Sequence, residues 1–370
     1  MAKVLFLVNQ DGTLFNFRRE LVFELLNRGD DIYINSPYGE KLEPFIEKGA
    51  HFIDLKMDRR GVNIFKELSV VFNYLRTIRK VKPDVVLTYT SKCSVYGGLV
   101  CRIIGVPYII NNCGLFDPNR FGKWMDIFLN LCYKLTYSKA ACLMYQNKVE
   151  RDYLNSKVSG KPHYRLLPGS GVNLTRFQPV EYPEDDVIKF MIICRIQKEK
   201  GIEEYLKAAQ IIKQKYLKTE FHILGGYDED YRKEVEDAQN NGYVIYHGAV
   251  SDVRPYLKEM HCVVNPSYHE GMSNVILEGN ALGRPAIASD CMGCNDIITH
   301  GFNGLLAKVA DADDLAKQIE AFILMPFEEK KKMGVNARKH VEEHFDRQIV
   351  TNTYIEEIER ITSVVEDVVK

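Results

Sequence analysis

Residues 265–279 of the chain read NPSYHEGMSNVILEG and directly follow the apolar run Cys262-Val263-Val264. An apolar run, a polar loop and a second apolar stretch, in this order, predict a strand, a loop and the start of a helix. Ser273 and Asn274 are both candidate N-caps, because either side chain can accept a hydrogen bond from a free amide of the first helical turn. That turn carries partial positive charge and unpaired N–H donors, and it therefore suits a phosphate.

Two carboxylates flank this turn, Glu270 in the loop and Glu278 about one turn into the helix. If every step between them were helical, they would be separated by a rise of about 12 Å. A nucleotide-sugar has a similar length and presents a ribose diol, a diphosphate and the hydroxyls of a hexose. Carboxylates accept hydrogen bonds from hydroxyls, and helix amides bind phosphate. The stretch is therefore suited to hold both ends and the middle of one nucleotide-sugar.

The composition of the chain is that of a soluble globular protein. It has 370 residues, of which 46% are hydrophobic and 27% charged, and this length is sufficient for two domains with their own cores. No run approaches the roughly 20 apolar residues of a membrane-spanning helix, and the short apolar start is not expected to be a signal peptide. The nine cysteines lie mostly inside apolar runs, which favours free thiols in a reducing cytoplasm.

Charge is distributed unevenly along the chain. Residues 1–170 contain 25 lysines and arginines against 16 aspartates and glutamates, whereas residues 171–370 contain 24 against 34. A net positive half indicates an anionic partner such as a phosphate or a lipid headgroup. The chain has neither a nucleic-acid-binding motif nor a dense basic run, so nucleic acid is not an expected partner.

Short apolar runs alternate with amphipathic stretches in both halves, which predicts βαβ units and parallel sheets. The break at Pro168-Gly169-Ser170-Gly171, continued by prolines and acidic residues to about residue 187, predicts a linker. We therefore expect an α/β chain of two doubly wound, Rossmann-like domains, 1–170 and 187–345, that face a central cleft. An amphipathic helix at 346–370 is expected to return to the first domain. In such sheets ligands bind beyond the carboxyl ends of the strands.

Two cations follow the predicted strand at residues 188–194. Arg195 ends that strand, and Lys200 follows five residues later. Arginine can clamp phosphate oxygens bidentately, and lysine adds a point charge. The alternative is a solvated loop whose charges have no ligand, but the flanked turn at residues 265–279 favours a phosphate-binding role.

Glycines after predicted strands mark further places where a backbone can approach a ligand. Gly225 and Gly226 follow one such strand. Gly12 follows the first strand and precedes the helix that is expected to hold Asn16 and Arg18. Gly12 lacks the partners of a G-x-G-x-x-G fingerprint, so a dinucleotide site is only weakly indicated. Plain tight turns are the alternative at each position.

Polar residues also end two strands of the first half, in Thr88-Tyr89-Thr90-Ser91-Lys92 and in Asn111-Asn112. Hydroxyls with one lysine suit a phosphate or a sugar, and a helix N-cap at Ser91 is the alternative. In the second half, the motif Cys291-Met292-Gly293-Cys294 has no second cysteine pair. Because a zinc site needs about four ligands, it is interpreted as a loop with two thiols.

The stretch 116–139 combines basic and apolar residues and contains the single tryptophan, Trp124. This composition is typical of a helix that lies in a membrane interface. An ordinary helix that packs its apolar face on the sheet is the alternative, and the sequence leaves the two open.

With these residues in place, the chain resembles retaining glycosyltransferase family 4, whose members have the two-domain GT-B fold. The resemblance rests on Arg195 with Lys200, on the E-x7-E motif from Glu270 to Glu278, and on residues 281–290 (ALGRPAIASD) and 303–306 (NGLL). It covers essentially the whole chain and is most specific in the second half. Within the family, the chain looks most like bacterial N-acetylgalactosaminyl and hexosyl transferases that extend undecaprenyl-diphosphate-linked glycans.

The resemblance implies a UDP-sugar in the second domain, with Arg195 and Lys200 on its diphosphate and Glu278 on the ribose hydroxyls. Glu270 would contact the transferred sugar, either as nucleophile or as a positioning residue, and with Arg195 and Lys200 completes the implied catalytic set. Further donor contacts are implied at Gly12, Gly225, Gly226, Ala249, Gly271, Met272, Ser273 and Asn274, and acceptor contacts at Asn16, Arg18, Lys92 and Asn112. No metal or other cofactor is implied, because cations and helix amides can neutralise the leaving diphosphate.

The implied reaction moves a hexose or N-acetylhexosamine from a UDP-sugar to a polyprenyl-diphosphate-linked sugar, with retention, in N-glycan, capsule or O-antigen assembly. The first domain would meet this acceptor at an anionic membrane surface, on the inner face of the cell membrane. The alternatives are a sugar-nucleotide epimerase or phosphorylase of the same fold, a transferase with a soluble acceptor, and a non-catalytic sugar-nucleotide-binding protein.

Overall fold

A computed structural model of the chain describes residues 1–57, 64–112, 123–158, 160 and 162–369, without the side chains of 64, 123–129 and 364–369. The chain divides into two compact units: Met1–Ser170 with Gln348–Lys370 form the first, and Gly171–Arg347 form the second. Each unit has its own parallel sheet with helices on both faces, which confirms the predicted doubly wound α/β class. No helix in the described part of the chain is long and apolar enough to cross a bilayer.

The first unit contains a seven-stranded sheet. Its strands are β1 (Lys3–Leu7), β2 (Asp31–Ser36), β3 (His51–Asp54), β4 (Val85–Tyr89), β5 (Tyr108–Asn111), β6 (Cys142–Tyr145) and β7 (Tyr164–Leu166). They pair in parallel in the order β3-β2-β1-β4-β5-β6-β7. In β1, Val4 and Phe6 enter one core while Leu5 and Leu7 enter the other. A strand with apolar residues on both faces is covered by helices on both faces, as this sheet is.

Among the described residues of the first unit, seven α-helices lie between the strands: α1 (Asp11–Phe17), α2 (Arg19–Asn27), α3 (Glu43–Glu47), α4 (Ile64–Val81), α5 (Ser91–Ile104), α6 (Lys123–Thr136) and α7 (Lys148–Lys157). The first three contribute Leu14, Leu21 and Phe45 to the core on one face of the sheet. Helices α4 and α5 contribute Val70 and Cys93 to the core on the other face, which α6 and α7 also cover.

The second unit contains a six-stranded sheet. Its strands are β8 (Ile188–Ile193), β9 (Thr219–Leu224), β10 (Ile245–Tyr246), β11 (Cys262–Asn265), β12 (Ala286–Ser289) and β13 (Gly304–Ala307), in the order β10-β9-β8-β11-β12-β13. Its helices are α8 (Ile202–Lys215), α9 (Arg232–Asn240), α10 (Arg254–Leu257), α11 (Asn274–Ala281), α12 (Ala312–Leu324) and α13 (Phe327–His344). The strand order reverses between β8 and β11, and in doubly wound sheets ligands bind beyond the carboxyl ends at such a switch point.

The last helix, α14 (Arg347–Val369), begins at the final residue of the second unit and continues as part of the first. Val350, Tyr354, Ile358 and Ile361 of this helix join the core that α1, α2 and α3 cover. Their spacing of four, four and three residues places them on one stripe of the helix. The C-terminal helix therefore packs on the first unit, as expected.

The chain after β1 differs from the prediction. Gly12 was expected in a turn ahead of a helix, but α1 begins at Asp11 and Gly12 is its second residue. Arg18, with a φ of −137° and a ψ of 17°, separates α1 from α2. A helix forms this early because Asp11 lies at the positive end of the helix dipole and Leu14 becomes buried.

Candidate functional site

The predicted strand, loop and helix start are present as β11, a loop and α11. Ser273 is the N-cap, and its hydroxyl accepts a hydrogen bond from the amide of Ile276 at 3.5 Å. Asn274 is the first helical residue, and Gly271 and Met272 lie just before the cap. Four of the residues expected to contact the donor are thus consecutive at the N-terminus of α11, where amide donors and the positive end of the helix dipole suit an anion.

The loop before α11 carries an ion pair. Lys200 Nζ lies 2.6 Å from Glu270 Oε1, and the two side chains are 20% and 18% exposed. Lys200 ends a short turn of 3-10 helix, Lys198–Lys200, and Gly201 follows it with a φ of +71°. A Cβ on Gly201 would lie 2.1 Å from the carbonyl oxygen of Pro266. Only glycine therefore allows the Lys200 turn to approach the loop closely enough for this pair.

A buried hydroxyl connects Glu270 to the start of α11. Ser267 Oγ lies 2.9 Å from Glu270 Oε1 and 3.0 Å from Asn265 Oδ1, and Asn265 Nδ2 lies 2.9 Å from Ser273 Oγ. The Ser267 hydroxyl donates to both oxygens, and the amide nitrogen of Asn265 donates to the Ser273 hydroxyl. Sequence reasoning missed Ser267, although its position three residues before Glu270 in a tight loop was a signal.

Residues 291–294 (CMGC) support the same loop through their backbone. The carbonyl oxygen of Met292 accepts from the amide of Glu270 at 3.3 Å, and that of Gly293 accepts from the amide of Ser273 at 3.0 Å. Gly293 has a φ of +79°, and a Cβ there would lie 2.5 Å from the carbonyl oxygen of Glu270. Both cysteine thiols of this segment are free and buried. The segment therefore holds the backbone of both Glu270 and the N-cap, a role that its sequence did not reveal.

Arg195 and Lys200 have different carboxylate partners. Arg195 Nη1 lies 2.7 Å from Asp228 Oδ2, and the arginine side chain is 62% exposed. Lys200 pairs with Glu270 instead. The structure thus joins the carboxylate expected on the sugar to one of the two cations expected on the diphosphate. Sequence reasoning did not select Asp228, whose signal was its position just after the glycine turn that ends β9.

Glu278 lies in the second turn of α11, and desolvation raises the pKa of its carboxyl group to about 7. The guanidinium groups of Arg347 and Arg176 act in the opposite direction, and Asp252 adds to the rise. Near neutral pH the group is therefore close to the midpoint between its neutral and ionised forms. A diol donates its hydrogen bonds best to the ionised form, so a bound ribose would favour loss of the proton.

The glycines after β9 lie against the loop that follows β8. Gly225 has a φ of +146°, and a Cβ there would lie 1.7 Å from the carbonyl oxygen of Cys194. The carbonyl oxygen of Gly226 accepts from the amide of Ile196 at 2.8 Å, and a Cβ on Gly226 would lie 3.7 Å from that of Ala249. These three predicted donor residues are thus neighbours at the carboxyl ends of two strands. Close contact between the two loops is by itself enough to require glycine at Gly225.

Arg18 was expected to contact an acceptor, but its side chain is only 2% exposed. Its guanidinium lies 5.6 Å from the ring centroid of Tyr89 and 5.3 Å from that of Tyr354, and it donates to Asn111 Oδ1 at 3.2 Å. The Tyr354 hydroxyl donates to the same oxygen at 2.5 Å. Arg18 therefore anchors α14 inside the first unit, and its contact with an acceptor stays a prediction.

Asn112 is also internal. Its Nδ2 donates to the carbonyl oxygen of Met144 at 3.2 Å, and its Oδ1 accepts from the Tyr137 hydroxyl at 2.9 Å. These bonds hold the end of β5 against β6, and the contact of Asn112 with an acceptor stays a prediction. Asn16, near the end of α1, is exposed.

Lys92, the remaining residue expected to contact the acceptor, lies in the first turn of α5. Its Nζ is 2.6 Å from Glu67 Oε1 in a partly buried ion pair. In the stretch expected to lie in a membrane interface, residues 116–122 and the side chain of Trp124 fall outside the described residues. From residue 130 onward, Leu131 and Leu135 are exposed whereas Tyr133 is buried.

Comparisons with known proteins match the chain to glycosyltransferases. Residues 188–324 match the family Glycosyl transferases group 1. The chain is 24% identical to the N,N'-diacetylbacillosaminyl-diphospho-undecaprenol alpha-1,3-N-acetylgalactosaminyltransferase of Campylobacter jejuni, over 96% of this chain and 98% of that one. It is also 24% identical to the UDP-Gal:alpha-D-GlcNAc-diphosphoundecaprenol alpha-1,3-galactosyltransferase of Escherichia coli, over 79% and 80% of the two chains.

Among solved structures, the chain is similar to HepE from Anabaena in complex with UDP and glucose. The TM-score is 0.80 at 16% sequence identity, over 97% of this chain and 100% of that one. This likeness extends over both units and identifies the fold as GT-B.

Proposed function

Because the chain is a glycosyltransferase of the GT-B fold with a glycosyl transferases group 1 domain at residues 188–324, we propose that it transfers a hexose or N-acetylhexosamine from a UDP-sugar to a polyprenyl-diphosphate-linked sugar, with retention. The observation that carries this proposal is the contact between Lys200 and Glu270 beside the N-cap of α11. In this contact a cation suited to a diphosphate, from the turn after β8, lies beside a carboxylate suited to sugar hydroxyls, from the loop after β11.

Two relatives support the choice of substrates. One is named for transfer to a diphospho-undecaprenol-linked sugar, and the other for transfer from UDP-Gal to a diphosphoundecaprenol-linked sugar. The net positive charge of residues 1–170 supports an anionic acceptor and a peripheral position on the inner face of the bacterial cell membrane. The acceptor side of the site is the less defined side, since Arg18 and Asn112 are occupied by internal contacts.

The donor would lie along the loop and the first turns of α11. Its diphosphate would replace Glu270 as the partner of Lys200 and Asp228 as the partner of Arg195. The N-terminal amides of α11 would donate further hydrogen bonds to it. The freed carboxylate of Glu270 would accept hydrogen bonds from the sugar, held in place by Ser267. Glu278 would accept the ribose hydroxyls. In the complex, Lys200 and Arg195 would thus contact the diphosphate, Glu270 the sugar and Glu278 the ribose.

The chemical step breaks the bond between the anomeric carbon and the diphosphate oxygen. An acceptor hydroxyl oxygen forms the new bond on the same face of the sugar, and its proton passes to the leaving diphosphate. This route needs no protein nucleophile, so Glu270 positions the sugar rather than attacking it. Lys200 and Arg195 stabilise the charge that grows on the diphosphate, and loss of one such contact typically costs about 2.7–4 kcal/mol of barrier. These cations and the helix amides make a metal unnecessary in this proposal.

The test is a turnover assay with the full chain, a panel of UDP-hexoses and UDP-N-acetylhexosamines, and a short-chain polyprenyl-diphosphate-linked sugar. We expect UDP release only when donor and acceptor are both present, and an α-linked product from an α-linked donor. Conversion of one UDP-sugar into another without acceptor would identify an epimerase instead. Transfer to a free sugar at the same rate would support the soluble-acceptor alternative, and a β-linked product would contradict retention.

A further inference from the structure

One face of the first unit is covered by α4, α5 and α6, and the outward side of this layer is unusually apolar. On α4, Phe65 is 84% exposed and Phe72 is 65% exposed, with Leu68 exposed between them. The neighbouring helices add Ile103 on α5 and Leu131 on α6, both exposed. Single exposed apolar residues are ordinary on a protein surface, but several large ones on adjacent helices mark an interaction surface.

The pattern along α4 shows that this side does not belong to the core. Val70, Tyr74 and Ile78 face the sheet and are buried. Phe65 and Phe72 lie seven residues apart, which is about two helical turns, and therefore on the opposite side of the same helix. The helix is thus apolar on two sides: one side packs on the sheet, and the other faces outward.

The outward side of α4 becomes cationic in its second half. Arg76 and Arg79 continue the line of Phe65 and Phe72, and Lys80 lies beside them; all three are exposed. None of the three forms an ion pair with a residue in the part of the chain that the structure describes. The helix therefore presents aromatic rings at one end of a face and unneutralised cations at the other.

Carboxylates are scarce on this layer. Glu67 is the only one on α4, and it is turned to α5, where it pairs with Lys92 at 2.6 Å with 15% of its side chain exposed. Helix α5 has no carboxylate in its sequence. The outward side of α4 and α5 therefore carries positive charge that no acidic neighbour on these helices offsets, and it is complementary to an anionic surface.

We propose that the α4 face, defined as Phe65, Leu68, Phe72, Arg76, Arg79 and Lys80, docks on an anionic lipid bilayer. The aromatic and leucine side chains enter the boundary between headgroups and acyl chains, and the cations contact lipid phosphates, as in interfacial amphipathic helices. The choice of a lipid surface rests on the proposed function, because a lipid-linked acceptor requires the first unit to meet a membrane. Charge complementarity favours anionic lipid over a second copy of the chain, which would bring like charges together.

The test measures binding of the full chain to vesicles of neutral phosphatidylcholine, with and without anionic phosphatidylglycerol, by flotation in the absence of donor and acceptor. Arg76→Gln/Arg79→Gln/Lys80→Gln should weaken binding to anionic vesicles by about fivefold per removed charge. Phe65→Ser/Phe72→Ser should weaken it by about tenfold or more, because each ring buries apolar area in the bilayer. All these residues are exposed, so both variants should fold normally.

Matched controls lie on the second unit. Lys331→Gln/Lys332→Gln/Lys339→Gln removes the same charge, and Leu217→Ser/Leu324→Ser removes exposed apolar side chains; both should bind vesicles like the wild type. Turnover of a short-chain acceptor in solution should be unchanged in the α4 variants.

Three results would overturn the docking proposal: wild-type-like vesicle binding by the α4 variants, equal binding of the wild type to neutral and anionic vesicles, or a wild-type dimer that these substitutions dissociate. Each would leave the transferase proposal standing. Conversely, the chain could bind vesicles through the α4 face and show no turnover with any lipid-linked acceptor. That result would support the docking surface and contradict the proposed function.

Discussion

Lys200 Nζ lies 2.6 Å from Glu270 Oε1, so the cation expected on the diphosphate and the carboxylate expected on the sugar are partners of each other. Their contact satisfies both charges within a partly buried loop. A nucleotide-sugar would replace it with two separate contacts, one to phosphate and one to sugar hydroxyls. Donor binding would therefore free Glu270 for the sugar at the same time as it engages Lys200.

Replacing Lys200 tests whether this cation stabilises the leaving diphosphate. Lys200→Ala should lower kcat by about 100- to 1,000-fold, because an electrostatic contact to the developing charge is lost. The measurement is the initial rate of UDP release at saturating acceptor. Lys198→Ala is the matched control, since Lys198 lies in the same turn and is 59% exposed. Equal rates for both variants would remove Lys200 from the mechanism.

Ser267→Ala tests the hydroxyl that holds Glu270. The variant should lose about 1–3 kcal/mol of unfolding free energy, because Asn265 is left with an unpaired buried group. It should also lower kcat about tenfold while the Kd for UDP changes little, since Glu270 contacts the sugar and not the nucleotide. Urea denaturation and steady-state kinetics measure the two effects.

The control for Ser267 is Thr219→Val, which removes another buried hydroxyl of the second unit at the start of β9, away from the carboxyl ends of the strands. It should lower stability without altering kcat. A loss of stability in Ser267→Ala with wild-type kcat would mean that Ser267 serves the fold alone.

Two glycines with the same φ allow the cost of a left-handed backbone to be separated from the cost of a steric contact. Gly293 and Gly301 both have a φ of +79°, but a Cβ on Gly293 would lie 2.5 Å from the carbonyl oxygen of Glu270 whereas one on Gly301 meets open space. Gly301→Ala should cost about 1 kcal/mol of unfolding free energy from the left-handed backbone alone. Gly293→Ala should cost more and should also reduce turnover, because the Glu270 loop must move. Similar stability and turnover in the two variants would show that this contact is unimportant.

The raised pKa of Glu278 predicts two opposite pH effects. Between about pH 4.5 and 7 the folded chain retains a proton that the unfolded chain has released, so the free energy of unfolding falls as the pH rises through this window. Glu278→Gln should therefore be more stable than the wild type by about 3 kcal/mol at pH 8 and nearly equal to it below pH 4.5. Urea denaturation at both ends of the window measures the difference.

The affinity for the donor should change with pH in the opposite direction to the stability. The ribose hydroxyls prefer the ionised carboxylate, so the KM for the UDP-sugar should fall as the pH rises through about 7. In Glu278→Gln this dependence should disappear. A wild-type KM that is constant across neutral pH would contradict the assignment of Glu278 to the ribose.

The loop between β11 and α11, which is expected to bind the donor and is here called the donor loop, can largely be predicted from the sequence together with its flanking elements. The apolar run before Asn265, the polar residues after it and the cap at Ser273 predict β11, the loop and α11 with boundaries close to those observed. Each of these signals acts between residues a few positions apart, through burial, capping and helix periodicity. The same local logic failed after β1, because Gly12 was taken as a turn residue while Asp11 and Leu14 favour a helix.

Contacts between segments that lie far apart in the chain could not be predicted from the sequence. Lys200 and Glu270 are 70 residues apart in the chain. From the sequence, Lys200 was expected to bind the diphosphate and Glu270 the sugar, and their contact with each other was not predicted. Residues 291–294 were interpreted as an isolated loop with two thiols. Arg18 was expected to contact an acceptor, whereas in the structure Tyr354 of α14 packs against it. The α4 face is similar, since periodicity marks the helix as amphipathic but does not tell that a second apolar side faces outward.

The linear chain thus specified the fold class and the donor loop, because hydrophobic period, glycine position and capping are local properties. Packing of distant elements decided which charges neutralise each other, which polar groups become internal and which apolar side chains are left at the surface. Those outcomes depend on strand order and helix placement, and the free energies of burying or pairing a charged group are set by all of its neighbours at once.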